Sequence, residues 1–221
     1  MAAGTDLELA LLAYGDVVAG CTSCALAEGR TQVVFGSGSA SAELMFVGEA
    51  PGFHEDKSGV PFVGAAGKLL SKLLEGIGLS RDEVYIANVL KCRPPGNRDP
   101  LPEEIASCEP HLFKQIELIQ PKLIATLGNF ATKLLSGKPN GITQVHGREQ
   151  RVTLGGQDVT LYPIFHPAAA LYTPRMLQVL EEDFRRIPEL LGHAAAPAPE
   201  PVVLEREPEP APAQPVQLGL F

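Results

Sequence analysis

Two groups of residues in this chain have the types and spacing to do chemistry. The first is a set of four thiols: Cys21 and Cys24 form a close pair, and Cys92 and Cys108 stand apart. The second surrounds residues 43–67, ELMFVGEAPGFHEDKSGVPFVGAAG. There an apolar run at 44–47 enters Gly48-Glu49-Ala50-Pro51-Gly52, and a second glycine-rich turn follows at Pro61-Phe62-Val63-Gly64. A strand feeding such a turn is how an open α/β sheet builds a pocket at its carboxyl edge. Glu55, Asp56 and the exposed-looking ring of Phe62 fall in the loop that would roof it. Asn88 stands near the end of a second strand, and His166 follows a later one.

The thiols admit two metal chemistries. Four thiolates suit tetrahedral zinc or an iron–sulfur cluster. Zinc sites more often use two close pairs, and only one pair here is close, so a [4Fe–4S] cluster is preferred over structural zinc. Four small buried apolar residues would be the plainer reading, but the close pair and the even count argue against it. A cluster would pin the N-terminal helix and the segment after the second strand onto one body, which is a structural role.

The elements that must position these groups follow from periodicity. Residues 6–18 read as a helix with Thr5 as its N-cap. Strands are expected at 44–47, 83–90, 122–127 and 162–165, the last running into His166-Pro167. Helices are expected at 66–77, where leucines recur at helical spacing, at 102–119, at 131–135 and at 175–191. Pro102 in the first turn of the 102–119 helix, with Glu103 and Glu104 behind it, suits a helix start. Residues 145–161 read as a β-hairpin about Gly155-Gly156. Strands alternating with helices imply a three-layer αβα sandwich, an α/β fold with a small, mostly parallel four-stranded sheet.

Composition sets the remaining bounds. The 221 residues suffice for one domain with extra segments, and no apolar run is long enough to span a bilayer. No charged segment followed by an apolar core marks a signal peptide. A soluble cytoplasmic protein is expected, with no membrane partner. The net charge is −8, of which −3 belongs to the stretch from His193 onward, with four acids against one base. The body's bases gather locally at Lys91, Arg93 and Arg98, a small basic mouth compatible with modest DNA binding. Residues 193–214 are a Pro/Ala/Glu linker too poor in apolar groups to fold. The chain then ends in an apolar cluster that suits a short docking peptide at 215–221. Residues 1–192 make up the folded domain.

Read together, Gly48-Glu-Ala-Pro-Gly52, Glu55-Asp56, Gly59-x-Pro61-Phe62-Val63-Gly64-x-x-Gly67, Asn88-Val-Leu-Lys-Cys92-Arg-Pro-Pro and His166-Pro167 resemble the family 4 uracil-DNA glycosylases, the iron–sulfur branch of their superfamily. The resemblance covers roughly residues 16–191 and includes the spacing of the four cysteines. It implies hydrolysis of the bond between uracil and deoxyribose in single- or double-stranded DNA, leaving an abasic site, by a monomer. An extruded base would be held in a pocket. The resemblance makes Phe62 the ring that stacks on uracil and Asn88 the carboxamide that reads its N3–H and O4 edge. His166 and the Ala50 amide would meet O2 as charge grows there. Glu49 becomes the candidate for activating water, one position before the Asp of the best-known branch. Glu55 would wall off the C5 side and exclude thymine.

Leu171 could wedge into the vacated stack, with Arg98 gripping DNA. The chain departs from the common pattern here, with Tyr172 where family members often carry Arg. A related branch traps its product through a His in a basic insertion after the second strand. This chain has Pro95-Gly96-Asn97-Arg98 there, so turnover is expected. His54, His111, His146 and His193 read as surface or structural. Gln217-Leu218-Gly219-Leu220-Phe221 resembles a bacterial sliding-clamp peptide, with Gln217, Leu218, Leu220 and Phe221 as its contacts. A second class of function remains open, a clamp-tethered module that binds uracil or damaged DNA with little turnover.

Overall fold

In a computed structural model of the chain, the backbone is described for residues 2–192 and side chains from residue 6 to 192. The order is α1 (Ala2–Ala19), α2 (Leu26–Gly29), β1 (Ser37–Gly38), β2 (Leu44–Gly48), α3 (Phe53–Ser58), α4 (Ala65–Glu75) and β3 (Tyr85–Asn88). After them come α5 (Pro102–Ile119), β4 (Leu123–Leu127), α6 (Asn129–Ser136), α7 (Ile142–Val145), β5 (Gln150–Leu154), β6 (Gln157–Ile164), α8 (Pro174–Arg185) and α9 (Ile187–Leu190).

The sheet has six strands in the order β1-β3-β2-β4-β6-β5. Its four inner strands run parallel, as expected, and the edge strands β1 and β5 are antiparallel to their neighbours. β2 is buried throughout and divides its side chains between two cores. Met45 and Val47 pack with Leu11, Leu112, Ile116 and Leu135, so α1, α5 and α6 cover one face. Leu44 and Phe46 pack with Leu70, Leu74, Leu180 and Phe184, so α4 and α8 cover the other. The alternation is the period-2 pleat of a strand buried on both sides.

Several expectations shift. Helix α1 starts before Thr5, which therefore does not cap it. Glu55 and Asp56 lie on the short helix α3 rather than in a loop. The hairpin and the fourth strand are one feature: β6 is both the return arm and the strand leading to His166. Residues 175–191 form two helices, broken where Pro188 lacks an amide and restricts Ile187 before it. No helix among the described residues is long and apolar enough to cross a membrane.

Candidate active site

β2, β3, β4 and β6 end on the same edge of the sheet, and the chain switches sides between β2 and β4, the place where open α/β sheets bind ligands. Gly48 ends β2 beside Asn88, its register partner at the end of β3. A Cβ on Gly48 would lie 2.4 Å from Asn88 Oδ1 and 2.6 Å from Phe62 Cζ. Both side chains therefore converge on a surface that only glycine leaves open. Asn88 is 2% exposed, and its Oδ1 is buried without a hydrogen-bond partner among the described residues. A buried acceptor left unpaired costs about 1–3 kcal/mol, so its retention calls for a ligand or a function.

Phe62 is not the exposed ring its Gly- and Pro-rich setting suggested; it is 7% exposed. Its φ is 54°, a left-handed conformation that costs a bulky residue about 1–3 kcal/mol. The surroundings hold it there. Arg81 Nη1 donates to Phe62 O at 3.0 Å and Nη2 to Pro61 O at 2.7 Å. Glu55 accepts from the amides of Val63 at 2.9 Å, Gly64 at 3.0 Å and Gly52 at 3.1 Å. Gly67 lets α4 close onto the turn, since a Cβ there would sit 1.8 Å from Phe62 O. Glu55 is thus a clamp on both glycine-rich turns. Asp56, buried, accepts from Thr31 N at 2.9 Å and fastens α3 from its other side. Arg81 was missed in the sequence, where nothing marks a contact reaching back nineteen residues.

His166 follows β6, and its ring stacks on Phe62 with centroids 5.6 Å apart and planes 29° apart. The Ala168 amide donates to Nδ1 at 3.2 Å, so a neutral ring carries its proton on Nε2. The side chain is only partly shielded from solvent, yet the protein around it is enough for desolvation to push its pKa down to about 4, against the pull of Glu55. The imidazole is therefore a neutral donor through the physiological range. Glu49 is half-buried, and burial, helped by the negative charge of Asp99, raises its carboxyl above the ordinary value. The amides of Val89 and Leu90 donate to Gly48 O and Glu49 O at 2.9 and 3.0 Å, which fixes the loop carrying Glu49 and Ala50 against the segment after Asn88.

The structure gives the proposed DNA contacts other tasks. Arg98 forms a two-point pair with buried Glu104, at 2.5 and 2.9 Å, and Glu104 in turn accepts from the Leu101 amide at the start of α5. Arg98 is a clamp on that helix rather than a free cation. Lys91 is 1% exposed, donating to Asn88 O at 2.8 Å and Gln115 Oε1 at 2.6 Å. Of the basic mouth only Arg93 remains available. Leu171 is half-buried against the core around α8, whereas Tyr172 beside it is 92% exposed.

All four cysteines line one cavity between α1, α2, the segment after β3 and α5. The sulfurs are met by donors: Arg30 Nη1 reaches Cys92 Sγ at 3.5 Å, and the Lys91 amide reaches Cys108 Sγ at 3.2 Å. His111 Nε2 lies 3.3 Å from Cys21 Sγ. It is a wall of this cavity rather than an idle surface residue, and its position three residues after Cys108 on one helix face was the available signal. Four thiols on one cavity, two of them met by N–H donors and with two cations nearby, fit an anionic thiolate-bound group. Among the described residues no three His, Cys, Asp or Glu side chains are arranged to hold a metal ion. Gln217, Leu218, Leu220, Phe221 and His193 lie outside the described residues.

Known proteins resemble this chain in sequence across the stretch that builds the site. A model of the uracil DNA glycosylase superfamily matches residues 35–188. A type-4 uracil-DNA glycosylase of Sulfurisphaera tokodaii is 50% identical over 178 residues, covering 78% of this chain and 81% of that protein. The type-4 uracil-DNA glycosylase of Archaeoglobus fulgidus is 48% identical, over 78% and 88%. That of Thermotoga maritima is 49% identical, over 68% and 78%. The matched stretch contains Gly48, Phe62, Asn88 and His166 together with the elements that aim them, and the chain belongs to the uracil DNA glycosylase superfamily.

Proposed function

We propose that the protein is a uracil-DNA glycosylase that hydrolyses the N-glycosidic bond of deoxyuridine, releasing free uracil and leaving an abasic site for base excision repair. The reading rests chiefly on the unpaired, buried Asn88 Oδ1 beside the Phe62 ring. A carboxamide there accepts from uracil N3–H and donates to O4, a pairing that cytosine reverses. The base stacks on Phe62, a contact worth about 1–3 kcal/mol.

As the bond from C1′ to N1 breaks, its electrons pass into the ring and gather on O2. The Nε2–H of neutral His166 and the amide of Ala50 donate to that oxygen; one such donor is worth about 2.7–4 kcal/mol. Glu49 steadies the positive charge on the sugar and takes a proton from the water that adds to C1′. Glu55 sets the position of Phe62 and closes the C5 side of the base. Leu171 reaches the vacated stack only by leaving the core it packs on.

The thiol cavity takes a [4Fe–4S] cluster in this reading. Cys21, Cys24, Cys92 and Cys108 would hold it, and its role is to join α1 to the segment after β3. Support comes from four thiols lining one cavity, with N–H donors on Cys92 and Cys108. A cytoplasmic monomer suits an enzyme whose described cysteines are all free thiols. Residues 1–192 form the catalytic unit, 193–214 a linker and 215–221 a sliding-clamp peptide that raises the enzyme's local concentration on replicating DNA.

The test is direct. Purified protein is incubated with an oligonucleotide carrying one uracil, and free base and alkali-sensitive sites are measured. Equal amounts of both are expected on single and double strands. Intact strands after alkali at high enzyme concentration would reject the proposal.

A further inference from the structure

Beside the uracil pocket lies an aromatic and cationic surface that base reading and hydrolysis leave unused. Phe53 opens α3 and is 49% exposed. Two cations flank its ring: Arg93 Cζ lies 5.2 Å from the centroid and Lys57 Nζ 5.9 Å. Neither makes an ion pair among the described residues. Arg93 is aimed by Asn97, whose Oδ1 accepts from Nε at 2.7 Å while its own backbone is held left-handed at φ 55°. His54 meets the ring edge-on at 5.5 Å.

The surface belongs to the site by position. Helix α3 also carries Glu55, which fixes the Phe62 turn, and Arg93 comes five residues after Asn88. An exposed phenyl ring costs solvation, and two unpaired cations beside it attract anions. Nucleic acid supplies both counterparts at the required scale, a base face for the ring and a phosphate for each cation. The −8 charge of the chain makes this cationic spot an exception that selects for a polyanion touching it locally.

We infer that Phe53, Arg93 and Lys57 form a subsite for the nucleotide next to the extruded deoxyuridine, with its base stacked on Phe53 and its phosphates met by Arg93 and Lys57. A base leaves its stack to lie on the ring more readily in a single strand, where no pairing holds it in place. The subsite therefore favours uracil in single strands over uracil in duplexes. This rests on the glycosylase reading and extends it to strand choice.

The experiment uses the full chain and a fluorescent single-stranded oligonucleotide without uracil, read by anisotropy across a salt series. A duplex of the same sequence and a uracil-containing substrate run in parallel. Phe53→Ala and Phe53→Leu should weaken single-strand binding about 5- to 150-fold, and Phe53→Tyr should restore it. The duplex should lose less. Arg93→Gln and Lys57→Gln should each flatten the slope of log K against log salt by about 0.7 on the single strand. Unchanged binding and salt slopes in these variants, or equal losses on both probes, would overturn the subsite while wild-type uracil release still upholds the site reading. Absence of uracil release by the wild type would instead overturn that reading.

Discussion

At the scale of single residues the site is a meeting of three side chains from distant segments. Asn88 is the one whose loss should be felt most. If Asn88 reads the base edge as proposed, Asn88→Ala should lower kcat/KM on uracil DNA by roughly 10²- to 10⁴-fold. Steady-state kinetics check this, and an unchanged value would remove Asn88 from the site. The ionisable pair predicts a pH profile. His166 titrates near 4, so no inflection should appear at the ordinary histidine value near 6.5. Glu49 serves as base only when ionised, and its pKa is raised, so activity should fall on the acid side with an inflection above 4.5. Glu49→Gln should lower kcat by roughly 10²- to 10⁴-fold and flatten that limb.

Much of the residue scale was legible in the sequence. Asn88 and His166 stand at strand ends, and the glycine-rich turns announced a pocket. Burial was not legible. Phe62 and Lys91 looked exposed because loop composition says nothing about which element later covers a loop, and the pairing of exposed Arg98 with Glu104 was equally hidden. Arg81, Arg30 and His111 were missed because their partners lie far along the chain.

At the scale of elements, the parallel core of four strands could be read from apolar runs and periodicity. The edge strands could not: β1 is two residues long, and the hairpin hid the continuity of β6. Helix α8 carries a feature that periodicity cannot show. Asp183 is 6% exposed, accepts from Tyr162 Oη at 3.4 Å, and its Oδ2 makes no hydrogen bond among the described residues, with His146 Nδ1 3.8 Å away. Burial pushes its carboxyl up to about 6, opposed by His146 and Arg186. A raised folded pKa means a contribution that is whole below the ordinary 3.8 and lost as pH rises through about 6. Asp183→Asn should therefore stabilise the fold at pH 8 by on the order of 1 kcal/mol after screening, seen as a higher Tm, and the gain should vanish toward pH 4. Thermal unfolding across pH reads the difference, and a lower Tm at pH 8 would mean the ionised form is the stabilised one.

At the scale of the whole molecule, the thiol cavity ties the first helices to the segment that aims Asn88 and Arg93. Cys108→Ser should abolish visible absorption of the purified protein and lower Tm by roughly 5–15 °C. A colourless wild-type protein containing zinc would replace the cluster reading. Deleting residues 217–221 should abolish clamp binding in a pull-down while uracil release from a short oligonucleotide persists. Retained clamp binding would refute the docking role. The cysteine framework was visible as spacing, but that the sulfurs share one cavity came only from folding α5 across α1.

That crossing has a consequence for synthesis. Helix α1 leaves the ribosome before α5, yet the surface it docks on includes Leu112 and Ile116 of α5, near the middle of the chain. Its Leu11 therefore waits unsheltered while about a hundred further residues are made, several seconds or more at ordinary elongation rates. If the thiols hold the proposed cluster, iron delivered before Cys108 emerges would find an incomplete ligand set, and maturation of the centre would follow translation of α5.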